Sequence, residues 1–502
     1  MAALEIDGHH LRLEDVERVA TGEIAEVRLA AAARGALQTA RRLVEDKVAR
    51  GEPVYGVTTG FGRLAEVVIP AEQRVALQRN VIRSHASGAG AALDRAATRA
   101  LMLLRANTLA HGHSGCSPAV VELLLDCLNA GVHPVVPEFG SVGASGDLVP
   151  LAHVGLALIG EGEVEHGGRV VPAAEALHAA HLAPVELKEK DGLALINGTQ
   201  FTTALAVLAL LEAERALEAL EVAGALSLEG LRGSPVPFDA DIHAVRPHQG
   251  QAVSAGRLRA LLEGSEIRES HRHGDPRLQD AYSLRCMPQV HGAAREALAY
   301  ARRALEIEVN SATDNPLVFP ESGQIKSGGN FHGQVIAQAA DFLAIALADL
   351  GAISERRVER LLNPDESGLS AFLAGQPGVE SGLMTLQVTV ADLLTELRLL
   401  AAPASTQSVP TGAGREDHVS MGPAAARKAR RAAECLVQIV AVELICAAEA
   451  IEQLRPLKTS PALEQAWARI RERVPRLSGD RALAADVRHI GDLVRRGSFR
   501  AG

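Results

Sequence analysis

The stretch VIAQAADFLAIALADL, residues 335–350, is apolar on almost every side, with Gln338, Asp341 and Asp349 as its only polar members. A helix of that composition has no face to give to water, so it belongs inside a bundle or at an interface between subunits. The surrounding chain has the same texture. From about residue 197 prolines act as punctuation, with none in 198–234, 289–315, 378–402 or 424–455. Each gap is long enough for a helix of several turns. The chain has 502 residues, 47% apolar and only 3% aromatic, which predicts more than one lobe and an Ala/Leu/Val core of closely packed helices. The expected fold is mainly α. A long-helix bundle and C-terminal helical region over 197–502 follow a smaller mixed N-terminal domain over 1–196.

Within that first domain, residues 1–25 read as a short extended start. Ala33, Leu37, Ala40, Val44 and Val48 keep helical spacing, with Arg41, Arg42 and Glu45 off the stripe and Gly51 as its end. Further helices are predicted near 71–83 and 92–109, and a β-hairpin over 164–171 around Gly167-Gly168. Between them lies GSVGASGDLVPLAH, residues 140–153. Three glycines, 140, 143 and 146, open backbone conformations closed to other residues, and Pro150 suits the first turn of a helix starting at Leu148. Unpaired N–H groups and the positive end of a helix dipole lie just beyond. On the plainest reading this is an anion cradle.

Net charge is −10 with the signs interspersed, which argues against nucleic acid or an anionic membrane as partner. Five cysteines (116, 127, 286, 435, 446) form no CxxC pair and read as reduced intracellular thiols, not a disulfide framework or a zinc site. Met1 to Asp7 lacks a basic n-region and a long apolar run, Ala204–Leu211 ends at Glu212, and 335–350 carries Asp341 and Asp349. No signal peptide or membrane span is therefore expected, and the protein is placed in the cytoplasm.

Chemistry is expected in the loops. YGVTTGFG (55–62) holds Tyr55, one of only three tyrosines. In isolation it reads equally as a packed loop aromatic. Ser84-His85 sits among small residues, and His111-x-His113 lacks further ligands at metal-binding spacing, so no metal site is assigned. His9-His10 and His271-Arg272-His273 read as solvated loops. Asn197-Gly198-Thr199-Gln200, 279–286, Thr313-Asp314-Asn315-Pro316, 328–333 and 416–421 interrupt the bundle, and each alone also suits a cap or turn.

Taken together, YGVTTGFG (55–62), GSVGASGDLVPLAH (140–153), NGTQ (197–200), QDAYSLRC (279–286) and GGNFHG (328–333) resemble the aromatic amino-acid ammonia-lyase family, in order and from Tyr55 to Met421. Ser84-His85 and EDHVSM (416–421) resemble its histidine-specific branch. The resemblance implies that Ala144, Ser145 and Gly146 cyclise and dehydrate to a 4-methylidene-imidazol-5-one. That electrophile would capture the substrate amine, a poor leaving group, without metal or diffusible cofactor.

By the same resemblance Tyr55 is the base that takes the β-proton, and a phenol serves so only when its neighbours stabilise its anion. Arg285 clamps the substrate carboxylate through its planar fork. Asn197 bonds the electrophile and helps hold the substrate, Tyr282 and Gln279 are supporting polar groups, and Phe331 shapes the pocket wall. His85 and Glu416 decide specificity, since a carboxylate facing an imidazole accepts its N–H while a phenyl ring leaves it unpaired. The implied product from histidine is trans-urocanate, and the implied assembly is a homotetramer with shared active sites.

Several positions depart from the histidine branch. Thr58 stands where asparagine is usual, Gly414-Arg415 replaces Asn-Gln, and Glu396-Leu397-Arg398 with Ala401-Ala402 replaces Glu-Asn-Lys and Ala-His. These bear on the substrate, not the electrophile. Tyrosine or phenylalanine ammonia-lyase and 2,3-aminomutase chemistry stay open within the family. A fumarase-type enzyme would need a GSSxMPxKxN loop, which is missing here. A non-catalytic helical scaffold would have no use for a tyrosine loop, an arginine loop and Ala-Ser-Gly in one chain.

Overall fold

The computed structural model describes residues 3–275 and 277–500. The chain divides into two compact units. The first comprises Met1–Leu208, Arg302–Ala340 and Pro403–Arg427, the second Ala209–Ala301, Asp341–Ala402 and Lys428–Gly502. Among the described residues there are twenty α-helices and nine strands, so the fold is mainly α as expected. All nine strands lie in the first unit and none exceeds four residues.

In that first unit the predicted hairpin forms from Glu163–His166 and Arg169–Pro172, with Val164 opposite Val171, and His133–Pro134 adds a third strand. The stripe from Ala33 to Val48 is the helix Ala31–Ala49. Helix Arg95–Ala110 is buried from Ala97 to its last residue and is started by Asp94, whose carboxylate accepts the Ala97 N–H. Leu101, Met102, Leu103 and Leu104 are all buried, and each side chain contributes about 1.5–3 kcal/mol by leaving water.

The chain start differs from the expected extended segment. Leu4–Ile6 pairs in parallel with Val27–Leu29, but a helix, Leu13–Ala20, lies between them. Its Leu13, Val16, Val19 and Ala20 keep helical spacing and are buried, and at eight residues the helix needs that packing to form. The extended reading also covered residues 1–2, which lie outside the described residues.

The second unit consists of the long helical stretches that the proline gaps predict. Helix Met384–Leu400 and the greater parts of helices Gln200–Gly230, Met287–Glu308, Gln334–Leu362 and Gly422–Gln453 run through the gaps and supply most of it. Their interior holds a charge pair of zero exposure, Arg357 and Glu443, with Nε to Oε1 at 2.5 Å and the second guanidinium nitrogen to Oε2 at 2.8 Å. Ser227 and Ser354 donate to the two oxygens of Glu443 at 2.8 and 2.5 Å. A desolvated pair is tolerable when each charge is satisfied in this way.

Gln334–Leu362 contains the 335–350 stretch and has the length and mean apolarity of a membrane span, but 72% of its most apolar window is buried inside the structure. Asp341 on it is buried and accepts the Lys428 ammonium at 2.9 Å.

Candidate active site

The glycine loop ends in a helix, Leu148–Leu158, with Pro150 in its first turn. Just before it the backbone turns left-handed at two successive residues, Ser145 (φ +53°) and Gly146 (φ +78°). For a serine that conformation costs about 1–2 kcal/mol, so neighbouring contacts must hold it. The Asn197 amide donates to the Ser145 carbonyl at 2.7 Å, and the N–H of Asp147 donates to the Gly198 carbonyl at 2.6 Å. Gly146 lies flat on Gly198, and a Cβ there would run into the Gly198 backbone. Only glycine fits.

Asp147 anchors the same junction. Its carboxyl accepts the N–H and the hydroxyl of Thr202 at 2.8 and 3.0 Å. Burial pushes it up to about 7, against the pull of those hydrogen bonds. On the other side of the Asn197–Thr199 turn, Thr199 donates to Glu308 at 2.5 Å, and burial raises that carboxyl as well.

Ala144 and Ser145 face a cavity of about 720 Å³ formed by residues of the first unit. That is the size of a small-molecule site. Its walls are largely apolar, among them Phe61, Leu77, Val81, Val149, Leu193 and Ile196. A few polar groups converge on it: Tyr55, His85, Asn197, Asn315, Thr411 and Glu416.

The Tyr55 oxygen accepts the Gly62 N–H at 3.0 Å, and its ring meets Phe61 edge-on at 6.4 Å. A donor on the phenol oxygen stabilises an anion there. His85 is the last residue of helix Arg74–His85. Its Nδ1 lies 2.7 Å from the Val81 carbonyl, which can only accept, so Nδ1 carries a proton and Nε2 is the nitrogen left to meet a ligand. Glu416 accepts the Thr411 hydroxyl at 2.7 Å on Oε2 and lies 3.4 Å from the Ser145 hydroxyl through Oε1. Asn197 Oδ1 is buried with no hydrogen-bond partner. A buried acceptor left open beside a cavity is a place for a ligand N–H.

Of the residues expected in the site, the structure therefore brings together Tyr55, His85, Ala144, Ser145, Asn197 and Glu416, with Gly146 packed behind Ser145. Phe331 is half-buried and does not line the cavity. Gln279, Tyr282 and Arg285 belong to the second unit and do not line it either. They form their own group there. The Arg285 guanidinium lies 4.5 Å above the Tyr282 ring, which is 70% exposed, and Gln279 and Arg285 line a pocket of about 420 Å³. Asn315 and Thr411 were not among the expected site residues. Asn315 lies in the TDNP loop, which reads as either a turn or a place for chemistry, and nothing in the sequence near Thr411 singles it out.

None of the departing residues lines this cavity. Thr58 is buried and turned into its own loop, accepting the Val54 N–H at 2.7 Å and donating to the Glu52 carbonyl at 3.1 Å. Gly414, Arg415 and residues 396–402 do not line the cavity. His9 is exposed in a loop as expected, with its ring 4.0 Å from that of His111. Among the described residues no group of three or more His, Cys, Asp or Glu is arranged to hold a metal ion.

A sequence model of the family described as aromatic amino acid lyase matches residues 11–472. The chain belongs to the aromatic amino acid lyase family. Among its relatives, the histidine ammonia-lyase of Anaeromyxobacter sp. (strain K) is 53% identical over 507 residues, covering 99% of this chain and all of that one. Among solved structures, the histidine ammonia-lyase of Trypanosoma cruzi superimposes with a TM-score of 0.93 at 40% identity, covering 99% of this lyase and 94% of the other chain. The tyrosine aminomutase of Streptomyces globisporus gives 0.94 at 41%, covering 99% and 98%.

The residues at the loop suit the electrophile of the family. Ser145 and Gly146 are bent left-handed, Gly146 has no room for a side chain, and the Ser145 carbonyl already receives the Asn197 amide.

Proposed function

We propose that this lyase eliminates ammonia from L-histidine to give trans-urocanate, breaking the Cα–N bond and removing a proton from Cβ. The observation that carries the reading is the Glu416 carboxylate beside Ser145 in an otherwise mostly apolar cavity. A histidine imidazole can use it, because its N–H has an acceptor there, whereas a phenyl ring offers the carboxylate no donor. The relatives named histidine ammonia-lyase support the same substrate.

A methylidene-imidazolone formed from Ala144, Ser145 and Gly146 would supply an electrophilic carbon that turns the substrate amine into a good leaving group. The remaining work falls to side chains. Tyr55 takes the β-proton, with the Gly62 N–H stabilising the charge left on its oxygen. Asn197 holds the Ser145 carbonyl and offers its open Oδ1 to the substrate amine. His85 and Glu416 receive the imidazole. Arg285 binds the carboxylate, Tyr282 and Gln279 support it, and Phe331 closes the wall. In this reading these four come from other copies of the chain in a homotetramer. The enzyme works in the cytoplasm on a free amino acid, with no metal and no diffusible cofactor.

Parallel turnover of histidine, tyrosine and phenylalanine, followed by ammonia release and product absorbance, tests the reading. Urocanate from histidine alone supports it. A cinnamate-type product moves the substrate, and a β-amino acid without net ammonia release replaces the lyase outcome by an aminomutase one.

A further inference from the structure

We propose that Thr411 is a specificity-determining positioning residue, whose hydroxyl holds one oxygen of Glu416 so that the other is presented to the reacting centre. The inference rests on the reading above that the cavity takes an imidazole-bearing amino acid.

The geometry begins with the backbone. Thr411 and Glu416 form an isolated antiparallel bridge, with the Thr411 N–H to the Glu416 carbonyl at 2.9 Å and the Glu416 N–H to the Thr411 carbonyl at 3.3 Å. Residues directly opposite in such a pair project to the same side, and both line the cavity. Three successive left-handed residues between them, Gly412 (φ +57°), Ala413 (φ +56°) and Gly414 (φ +81°), turn the chain tightly enough to close the bridge.

The side chains complete the device. A carboxylate only accepts, so the Thr411 hydroxyl donates its proton to Oε2 at 2.7 Å. Threonine is branched at Cβ and stiff at χ1, which makes it a firmer post than serine or water. With Oε2 held, rotation of the carboxylate is fixed and Oε1 is left directed at Ser145, 3.4 Å from its hydroxyl. Gly412 packs against the same carboxylate, and a Cβ there would lie 2.8 Å from Glu416 Oε2. A long, flexible glutamate is thus ordered before substrate arrives, which removes a cost otherwise met on binding.

The test uses the full-length enzyme as Thr411→Val, Thr411→Ser, Glu416→Gln and the Thr411→Val/Glu416→Gln double variant. Histidine kcat/KM is read alongside calorimetric binding of imidazolepropionate and phenylpropionate. Loss of a hydrogen bond to a charged group predicts that Thr411→Val lowers kcat/KM and imidazolepropionate affinity about 10- to 100-fold, leaves phenylpropionate binding unchanged, and is largely rescued by serine. In the Glu416→Gln background the same change should have a much smaller effect, because Thr411 acts through that carboxylate. An unchanged Thr411→Val enzyme, equal loss for both probes, failed rescue by serine, or the same loss with and without Glu416 would each overturn the proposal. A wild type inactive on histidine overturns the functional reading alone, while one that binds imidazolepropionate no better than phenylpropionate overturns both.

Discussion

Glutamine at position 416 keeps the shape of the side chain and an oxygen for the Thr411 hydroxyl but removes the charge. An imidazole N–H donating to a carboxylate is worth about 1.5–3 kcal/mol more than one left without it. Glu416→Gln should therefore cut kcat/KM on histidine by about 10- to 150-fold. Stability should change little, by about 0.5 kcal/mol or less, because Glu416 is half-buried and its neighbours Thr411 and Ser145 retain polar contacts. Urocanate absorbance gives the rates, and urea unfolding of the same samples gives the stability. A loss below about threefold would mean that the carboxylate does not meet the imidazole. A loss matched by an equal fall in folded protein would make Glu416 a structural residue only.

Other perturbations test separate links. Ser145→Ala should abolish turnover while leaving the protein folded, as read by a cooperative urea transition; normal turnover would rule out Ser145 as the source of the electrophile. Asp147, raised to about 7 by burial from a usual value of 3.8, keeps its proton in the folded chain between about pH 4 and 7 while the unfolded chain loses it. Stability should fall as pH rises through that window and level off above it. Asp147→Asn should remove this slope from a series of urea midpoints, and an unaltered slope would assign it elsewhere. Glu443→Gln strands the fully buried Arg357 charge and should destabilise the protein by about 3–5 kcal/mol, read as a lower unfolding midpoint; a shift near zero would mean that the pair is not desolvated.

Much of the fold was legible because its signals are local. Proline gaps marked the long helices, and an all-apolar stretch marked one that is mostly buried. The same holds for half of the site, where glycine-dense loops around Tyr55, His85 and Ser145 are recognisable one at a time. What the sequence hid is non-local. Helix Leu13–Ala20 depends on partners far along the chain. Thr58, a departure on paper, turns inward to bond its own loop, and no pattern of neighbours distinguishes that from a cavity-facing threonine. Asn315 and Thr411 enter the cavity from loops whose glycine and proline content suits ordinary turns. Gln279, Tyr282 and Arg285 share a motif with one another, but spacing does not reveal that they are absent from the lining of this cavity.

The most direct test of the central claim is the mass of the peptide that spans Ala144, Ser145 and Gly146 in the native enzyme. Cyclisation and dehydration predict a peptide lighter by two waters than its sequence, restored to the unmodified mass of its own sequence in Ser145→Ala. A native peptide of full mass in a sample that turns over histidine would contradict the self-made electrophile.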